Sequence, residues 1–143
     1  MGAPENEALA RRLMTEVWDK GDVKVLDEIL APTYVDHNPP PGVPSDREGA
    51  KQAVTIFRTA FPDLKNTVED VIAVGDKVVM RITARGTHKG EFQGIPSTGK
   101  PVTFEGVFIG RVASGKFVES WEQFDALGVL TQLGIVTPPG AGA

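Results

Sequence analysis

The fold is decided by residues 65–87, KNTVEDVIAVGDKVVMRITARGT, where the spacing of apolar residues changes from helical to strand-like. Apolar and polar residues alternate on both sides of the turn Gly75-Asp76. Residues 78–87 are also rich in β-branched side chains, which favour strands. The stretch therefore predicts a β-hairpin. One face of its first strand carries Val68, Asp70, Ile72 and Val74.

Two more strands follow towards the C-terminus, over residues 101–112 and 116–125, joined by the turn Ser114-Gly115. One face of the third strand carries Phe104, Gly106, Phe108 and Gly110. One face of the fourth carries Val118, Ser120, Glu122 and Phe124. Glycines inside a strand mark bends or close approaches. We therefore expect a strongly curved sheet whose concave side is cleared for a guest molecule.

The residues before this sheet predict helices. Leu9, Leu13 and Val17 repeat at helical spacing as far as Gly21. A second helix is expected between Asp22 and Pro32, followed by a loop over residues 33–45. A third helix opens at the capping pattern of residues 45–48 and closes at Pro62, and a short one, capped by Asp125, covers residues 126–133.

Helices followed by an antiparallel meander are typical of the α+β class. We expect a cone-shaped α+β barrel, with the N-terminal helices packed on the curved antiparallel sheet. A chain of 143 residues fits one domain, spanning 1–143, with a core over residues 5–135 and a flexible tail over 136–143.

Composition excludes several classes of function. A net charge of −4 with scattered Lys and Arg argues against nucleic acid as a partner. The absence of cysteine removes disulfides and thiolate metal sites. No apolar run approaches the roughly 20 residues of a membrane span, and the N-terminus lacks signal-peptide features, so the expected location is the cytoplasm. Two separated histidines predict no metal site.

Glu122 is the first candidate for chemistry, because a carboxylate between apolar neighbours has its pKa raised by desolvation and suits general-base catalysis. The alternative is an exposed or salt-bridged glutamate. His88, at the end of the second strand, is either a proton donor or a structural histidine that bonds loop backbone. Asp36 and His37, in the loop of residues 33–45, are part of a lid or make local turn bonds. Asp36 with Glu122 would form a two-acid site.

Three segments resemble a known family: residues 87–100 (THKGEFQGIPSTGK), 115–121 (GKFVESW) and 132–134 (QLG). They are similar to the SnoaL-like polyketide or ester cyclases of the nuclear transport factor 2-like superfamily. Together with the helical front end, the resemblance covers roughly residues 5–135.

The resemblance implies an enzyme that closes a ring by an intramolecular aldol reaction, without metal or organic cofactor. In that family an aspartate removes the acidic proton, and its position is Glu122 here. The family's histidine on the neighbouring strand corresponds to Phe108, its glutamine to Gly106, and an asparagine to Asp36. Two polar groups that would help to stabilise the enolate oxygen are therefore absent.

The sequence thus predicts cofactor-independent acid–base chemistry on a small apolar carbonyl compound, with Glu122, His88 and Asp36 as catalytic candidates. The residues expected to contact the substrate are Tyr34, His37, Phe104, Phe108, Ser120 and Phe124. Two alternatives stay open: a non-catalytic binding protein, and an epoxide-hydrolase-like enzyme using an arginine such as Arg81 or Arg85. The resemblance also implies a homodimer paired through the sheets, with Trp121 on the outer face.

Overall fold

A computed structural model describes residues 2–137, so residues 138–143 of the predicted tail lie outside the described part. The helices are α1 (Ala3–Arg12), continued by a π-helical segment (Leu13–Trp18), then α2 (Leu26–Ile29), α3 (Arg47–Ala60) and α4 (Ala126–Gln132). The strands are β1 (Leu30–Asp36), β2 (Lys65–Val74), β3 (Lys77–Thr87), β4 (Pro101–Ala113) and β5 (Lys116–Phe124). The α+β class is confirmed.

The sheet is mixed rather than antiparallel, and it does not close into a barrel. Its strand order is β1-β5-β4-β3-β2, and β1 runs parallel to β5. The sequence prediction missed β1, because Pro32 was taken as the end of a helix and residues 33–45 as a loop. Pro32 is tolerated in β1 because this strand lies at the edge of the sheet, where an absent backbone N–H can face solvent.

A β-bulge changes which residues of β2 face the core. Val68 lies opposite Ile82, but Asp70 lies opposite Arg81, so the register shifts between them. The shift turns the next apolar residues inward, and Val68, Val71 and Ala73 pack against the core. The prediction that Val68 shares a face with Ile72 and Val74 was therefore wrong, since Ile72 and Val74 are 57% and 73% exposed.

A second bulge changes which face of the sheet the first side chains of β5 point to. Val112 lies opposite Phe117 and Arg111 opposite Glu119, which leaves Val118 without a partner in the ladder. Phe117 is consequently fully buried, whereas Val118 lines a depression on the outer face. The prediction that Val118 shares a face with Ser120 was therefore wrong, because the bulge lies between them.

The core lies between the helices and the inner face of the sheet. Asp46 caps α3 by accepting a 2.9 Å bond from the Gly49 amide, and Asp125 caps α4 as predicted. Two clusters of buried apolar residues fill the space, and both contact Trp18 and Ile82. No helix within residues 2–137 combines the length and the apolar composition needed to cross a bilayer. The predicted cytoplasmic location stays a prediction, as does the division into one domain.

Candidate active site

Asp36 and Glu122 come together where the edge strand β1 ends. Asp36 lies opposite Ser120 in the parallel ladder, and Glu122 follows two residues later on the same face of β5. Asp36 is only 5% exposed, whereas Glu122 is partly exposed. The two carboxyl groups lie within hydrogen-bonding reach of each other. The structure thus forms the two-acid arrangement, and the strand that creates it is the one the sequence reading missed.

This environment keeps Glu122 protonated at neutral pH. Burial is the main cause that raises the pKa of Glu122 to about 9, followed by the hydrogen bond to Asp36 and the charge of Asp36. A hydrogen bond from Ser120 opposes the rise in the pKa of Glu122. Two carboxyl groups in contact avoid carrying two negative charges, which is why the neighbouring charge of Asp36 raises the pKa of Glu122.

A chain of hydroxyl groups leads from the interior to this pair. Ser120 donates from Oγ to Glu122 Oε2 over 3.1 Å, so the 2.5 Å bond between Tyr34 Oη and Ser120 Oγ uses the tyrosine proton. Both hydroxyl groups are buried. Burial, and then the charge of Glu122, raise the pKa of Tyr34, so Tyr34 remains a hydrogen-bond donor. Glu122 therefore meets one fixed donor on its inner side, the Ser120 hydroxyl, which Tyr34 holds in place.

The surrounding inner face is aromatic. Phe108 lies opposite Glu122 across the β4–β5 ladder, and its ring packs edge-on against Phe117 at 5.3 Å. Phe124, two residues after Glu122, contacts the rings of Phe104 at 5.5 Å and Phe57 at 5.4 Å. Aromatic rings are flat and apolar, so an apolar guest next to Glu122 would find suitable surfaces here.

Two open depressions of the surface lie away from the carboxyl pair. One of about 330 Å³ is on the outer face of the β1–β5 junction. Its lining residues are Thr33, Val35, His37, Arg111, Val118 and Glu119. Another of about 440 Å³ lies between α1 and two hairpin turns, and Glu122 lines neither of them.

Comparison with known proteins identifies the family of this chain. The family model for SnoaL-like polyketide cyclase matches residues 8–133. The chain belongs to the SnoaL-like polyketide cyclase family. It is 31% identical to the aklanonic acid methyl ester cyclase DauD of Streptomyces sp. (strain C5), over 92% of this chain and 83% of DauD.

Solved structures of similar proteins share the fold. TsrD from Streptomyces laurentii superposes with a TM-score of 0.86 at 29% identity, covering 95% of this chain and 99% of TsrD. Wild-type IdmH from Streptomyces antibioticus superposes with a TM-score of 0.77 at 38% identity, covering 89% and 96% of the two chains. The family prediction is therefore confirmed by sequence and by structure.

His88, one of the catalytic candidates in this SnoaL-like chain, does not join the carboxyl pair. Met80 is the β3 residue level with Phe108 and Glu122, and His88 lies eight residues further along the chain, just after β3 ends. It is fully buried against Phe61, and its Nδ1 accepts a 3.2 Å bond from the Thr98 amide. These contacts agree with the alternative in which His88 is a structural histidine that bonds to the backbone of the loop of residues 88–100.

His37 lies on the opposite side of the sheet from the carboxyl pair. Its ring stacks on Trp121 with centroids 4.7 Å apart, and its Nε2 lies 2.8 Å from Glu119 Oε1. Arg111 pairs with the same carboxylate. The structure therefore separates His37 from Asp36, although the two residues are adjacent in the chain, because neighbouring residues at a strand end point to opposite faces.

The sequence predicts that both glycines of β4 clear space for a guest, but Gly110 does not. A Cβ added at Gly110 would overlap the ring of Phe117, so a core side chain of the protein itself already fills that space. At Gly106 an added Cβ would meet its nearest atom at 3.4 Å, close to ordinary contact. Gly110 is thus a packing requirement of the second bulge.

Sequence reasoning also missed Asn38, which touches both acids. Its side-chain oxygen accepts a hydrogen bond from the Glu122 backbone amide, and its backbone amide donates to Asp36 Oδ1. The signal in the sequence was an asparagine two residues after an acid and directly before Pro39, a typical turn pattern. Within residues 2–137, no three side chains of His, Cys, Asp or Glu are grouped so as to hold a metal ion.

Proposed function

We propose that this chain is a cofactor-independent cyclase that uses the Asp36–Glu122 pair for acid–base catalysis on a small, apolar carbonyl compound. The observation that supports it most directly is the pair itself: one partly exposed and one buried carboxyl group, in contact with each other beside aromatic side chains. A pair with one proton can accept a proton at one stage and donate one at another.

The reaction follows from the proton count. Glu122 passes its proton to Asp36 and accepts a proton from the carbon next to a substrate carbonyl, which leaves an enolate. The enolate carbon attacks a second carbonyl carbon of the same molecule, forming a C–C bond and an alkoxide. The alkoxide takes a proton from Glu122, and Asp36 returns its proton to Glu122. One hydrogen has moved from carbon to oxygen, and the pair is restored.

Glu122 is the member of the pair that would meet the substrate, because Asp36 is buried beneath it. Phe108 and Gly106 provide no hydrogen-bond donor for the enolate oxygen from their side chains. The proton held by the pair would supply that donor. The relative DauD is named as an aklanonic acid methyl ester cyclase, which favours a cyclisation over other acid–base reactions.

The first experiment is a turnover assay with aklanonic acid methyl ester, the compound in the relative's name, followed by product chromatography. Glu122→Gln and Asp36→Asn are each expected to lower kcat by about 100-fold or more, as for a lost general base. Glu119→Gln is the matched control, because Glu119 is on the same strand but faces outward. Equal rates in wild type and Glu122→Gln would contradict the proposal.

A binding protein without catalysis would give a different result in the same variants. It would retain ligand affinity in Glu122→Gln and show no turnover in the wild type. The epoxide-hydrolase-like alternative has less support, since no arginine within residues 2–137 donates a hydrogen bond to Asp36 or Glu122. Arg81 instead bonds to Asp70 over 2.7 Å, and Arg85 bonds to Thr67 over 3.3 Å.

We also propose that a second copy of the chain covers the outer face of the sheet. The described helices pack on the inner face, and Val35 and Val107 are 40% and 42% exposed on the outer one. Apolar side chains left open on a sheet face favour association. Sedimentation is expected to show a dimer that Val107→Lys weakens, while Val74→Lys, at the far edge, has no effect. A monomeric wild type would contradict this proposal.

A further inference from the structure

We propose that Asn38 is a positioning residue that holds the carboxyl groups of Asp36 and Glu122 next to each other. This inference rests on the proposed function for its importance to catalysis. The geometry that supports it is independent of any substrate.

The side chain of Asn38 extends the parallel ladder past the end of β1. The last backbone bond of that junction runs from the His37 amide to the Ser120 carbonyl, over 2.9 Å. The next inward-facing residue of β5 is Glu122. Because β1 has ended, no backbone carbonyl of β1 accepts the Glu122 amide. Asn38 Oδ1 accepts this amide at 3.0 Å. A side-chain amide thus replaces the missing strand and fixes the backbone from which the Glu122 carboxyl group extends.

The backbone of Asn38 fixes the other acid. Its amide donates to Asp36 Oδ1 over 2.8 Å, in the local turn that an aspartate forms with the second residue after it. This donor occupies one oxygen of Asp36 and fixes the orientation of its carboxyl group. One residue therefore bonds to both halves of the pair, by its backbone on one side and by its side chain on the other.

The loop around Asn38 is itself held in place. Pro39 follows directly and restricts the backbone of Asn38 to extended conformations. The loop returns to the strand where the Asp36 amide donates to the Ser45 carbonyl, over 2.7 Å. Asn38 therefore has little freedom to move away from the pair.

The test is a titration of the carboxyl groups by NMR, with 13C-labelled side chains and no substrate present. Asn38→Ala keeps the backbone donor but removes the acceptor for the Glu122 amide. We expect the pKa of Glu122 to fall by about one unit or more, as the pair separates and water enters. Hydrogen exchange of the Glu122 amide is expected to accelerate in the same variant.

Two variants separate positioning from general stability. Asn38→Asp keeps an oxygen acceptor, so the pKa of Glu122 is expected to stay raised. Asn66→Ala removes a comparable bond elsewhere, the 2.9 Å bond to Asp19, and should change stability without moving the titration.

An unchanged Glu122 titration in Asn38→Ala, or an equal fall in Asn66→Ala, would overturn the inference. If Asn38→Ala does not fold, a lowered pKa of Glu122 in Asn38→Asp overturns it and an unlowered one supports it. These measurements need no turnover, so they test the role of Asn38 independently of the proposed cyclase activity. In a turnover assay, kcat is expected to fall in Asn38→Ala and to recover in Asn38→Asp.

Discussion

Tyr34 Oη lies 2.5 Å from Ser120 Oγ and joins the edge strand β1 to β5 inside the core. Both residues are buried, at 5% and 0% exposure, so water does not replace the bond. Ser120 continues to Glu122 Oε2 over 3.1 Å. The bond therefore ties the position of the catalytic candidate to the packing of the edge strand, and its removal has two measurable consequences.

Tyr34→Phe removes the donor and leaves the ring in place. We expect the free energy of unfolding to fall by about 1–2 kcal/mol, because the buried Ser120 oxygen loses its donor while its bond to Glu122 remains. Chemical denaturation measures this loss. In a double-mutant cycle with Ser120→Ala, the two changes should be coupled by about 1 kcal/mol. Additive effects of the two substitutions would show that the bond contributes nothing.

The stability of the protein should depend on pH through Glu122. Because the pKa of Glu122 is raised from 4.5 to about 9, the folded protein keeps a proton that the unfolded chain releases. Its contribution to stability is complete below pH 4.5 and is lost as the pH rises through about 9. Glu122→Gln cannot release this proton, so its stability should decline less over that range.

Urea denaturation at pH 5, 7 and 9 tests this directly. The difference between Glu122→Gln and wild type should shift in favour of the variant by an amount on the order of 5 kcal/mol from pH 5 to pH 9. Glu119→Gln serves as the control on the outer face. Parallel curves for wild type and Glu122→Gln would mean that Glu122 titrates normally.

The α+β class and the position of Glu122 could be predicted from the sequence, and the reason is local. Alternation along β3, β4 and β5 and the capping residues depend on neighbours in the chain. β1 could not be predicted in this way. Its residues pair only with β5, more than eighty positions later, and a preceding helix pattern masked them. The two-acid arrangement depends on that pairing and so remained one possibility among several.

The two bulges explain the other errors. A bulge is an extra residue in one strand, and alternation in that strand's sequence gives no sign of it. Alternation therefore groups Val74 with Val68 and Val118 with Ser120, although a bulge separates each pair, whereas it groups Glu122 with Ser120 correctly. Gly110 was interpreted as open space for the same reason, because Phe117 reaches it only after the bulge.

The two glycines of β4 provide a matched pair for that interpretation. Gly110→Ala should lower the free energy of unfolding by about 2–3 kcal/mol, because the new Cβ would overlap the Phe117 ring. Gly106→Ala, on the same strand and face, should change it by less than about 1 kcal/mol. Thermal denaturation of both variants measures the difference. Equal losses would show that Phe117 moves aside at little cost.

His88 should prove to be structural rather than catalytic. His88→Ala removes the acceptor of the Thr98 amide and leaves a cavity beside Phe61, so a loss of about 3 kcal/mol is expected. His88→Asn offers a side-chain oxygen in place of Nδ1 and should recover part of that loss. The kcat of the folded fraction should be unchanged in both variants. A kcat reduced tenfold or more in stable His88→Asn would return His88 to the catalytic site.

The outer face provides a last test, by way of Glu119. Arg111 is the main cause that holds the pKa of Glu119 below its ordinary 4.5, and His37 is the second. Arg111→Gln should therefore raise the pKa of Glu119 more than His37→Gln does, and NMR titration measures both. Arg81→Gln removes the same charge from β3 without a contact to Glu119, and should leave the titration unchanged. If it raises the pKa of Glu119 as much as Arg111→Gln does, the shift comes from the general field of the face, and the bridge to Arg111 is not its cause.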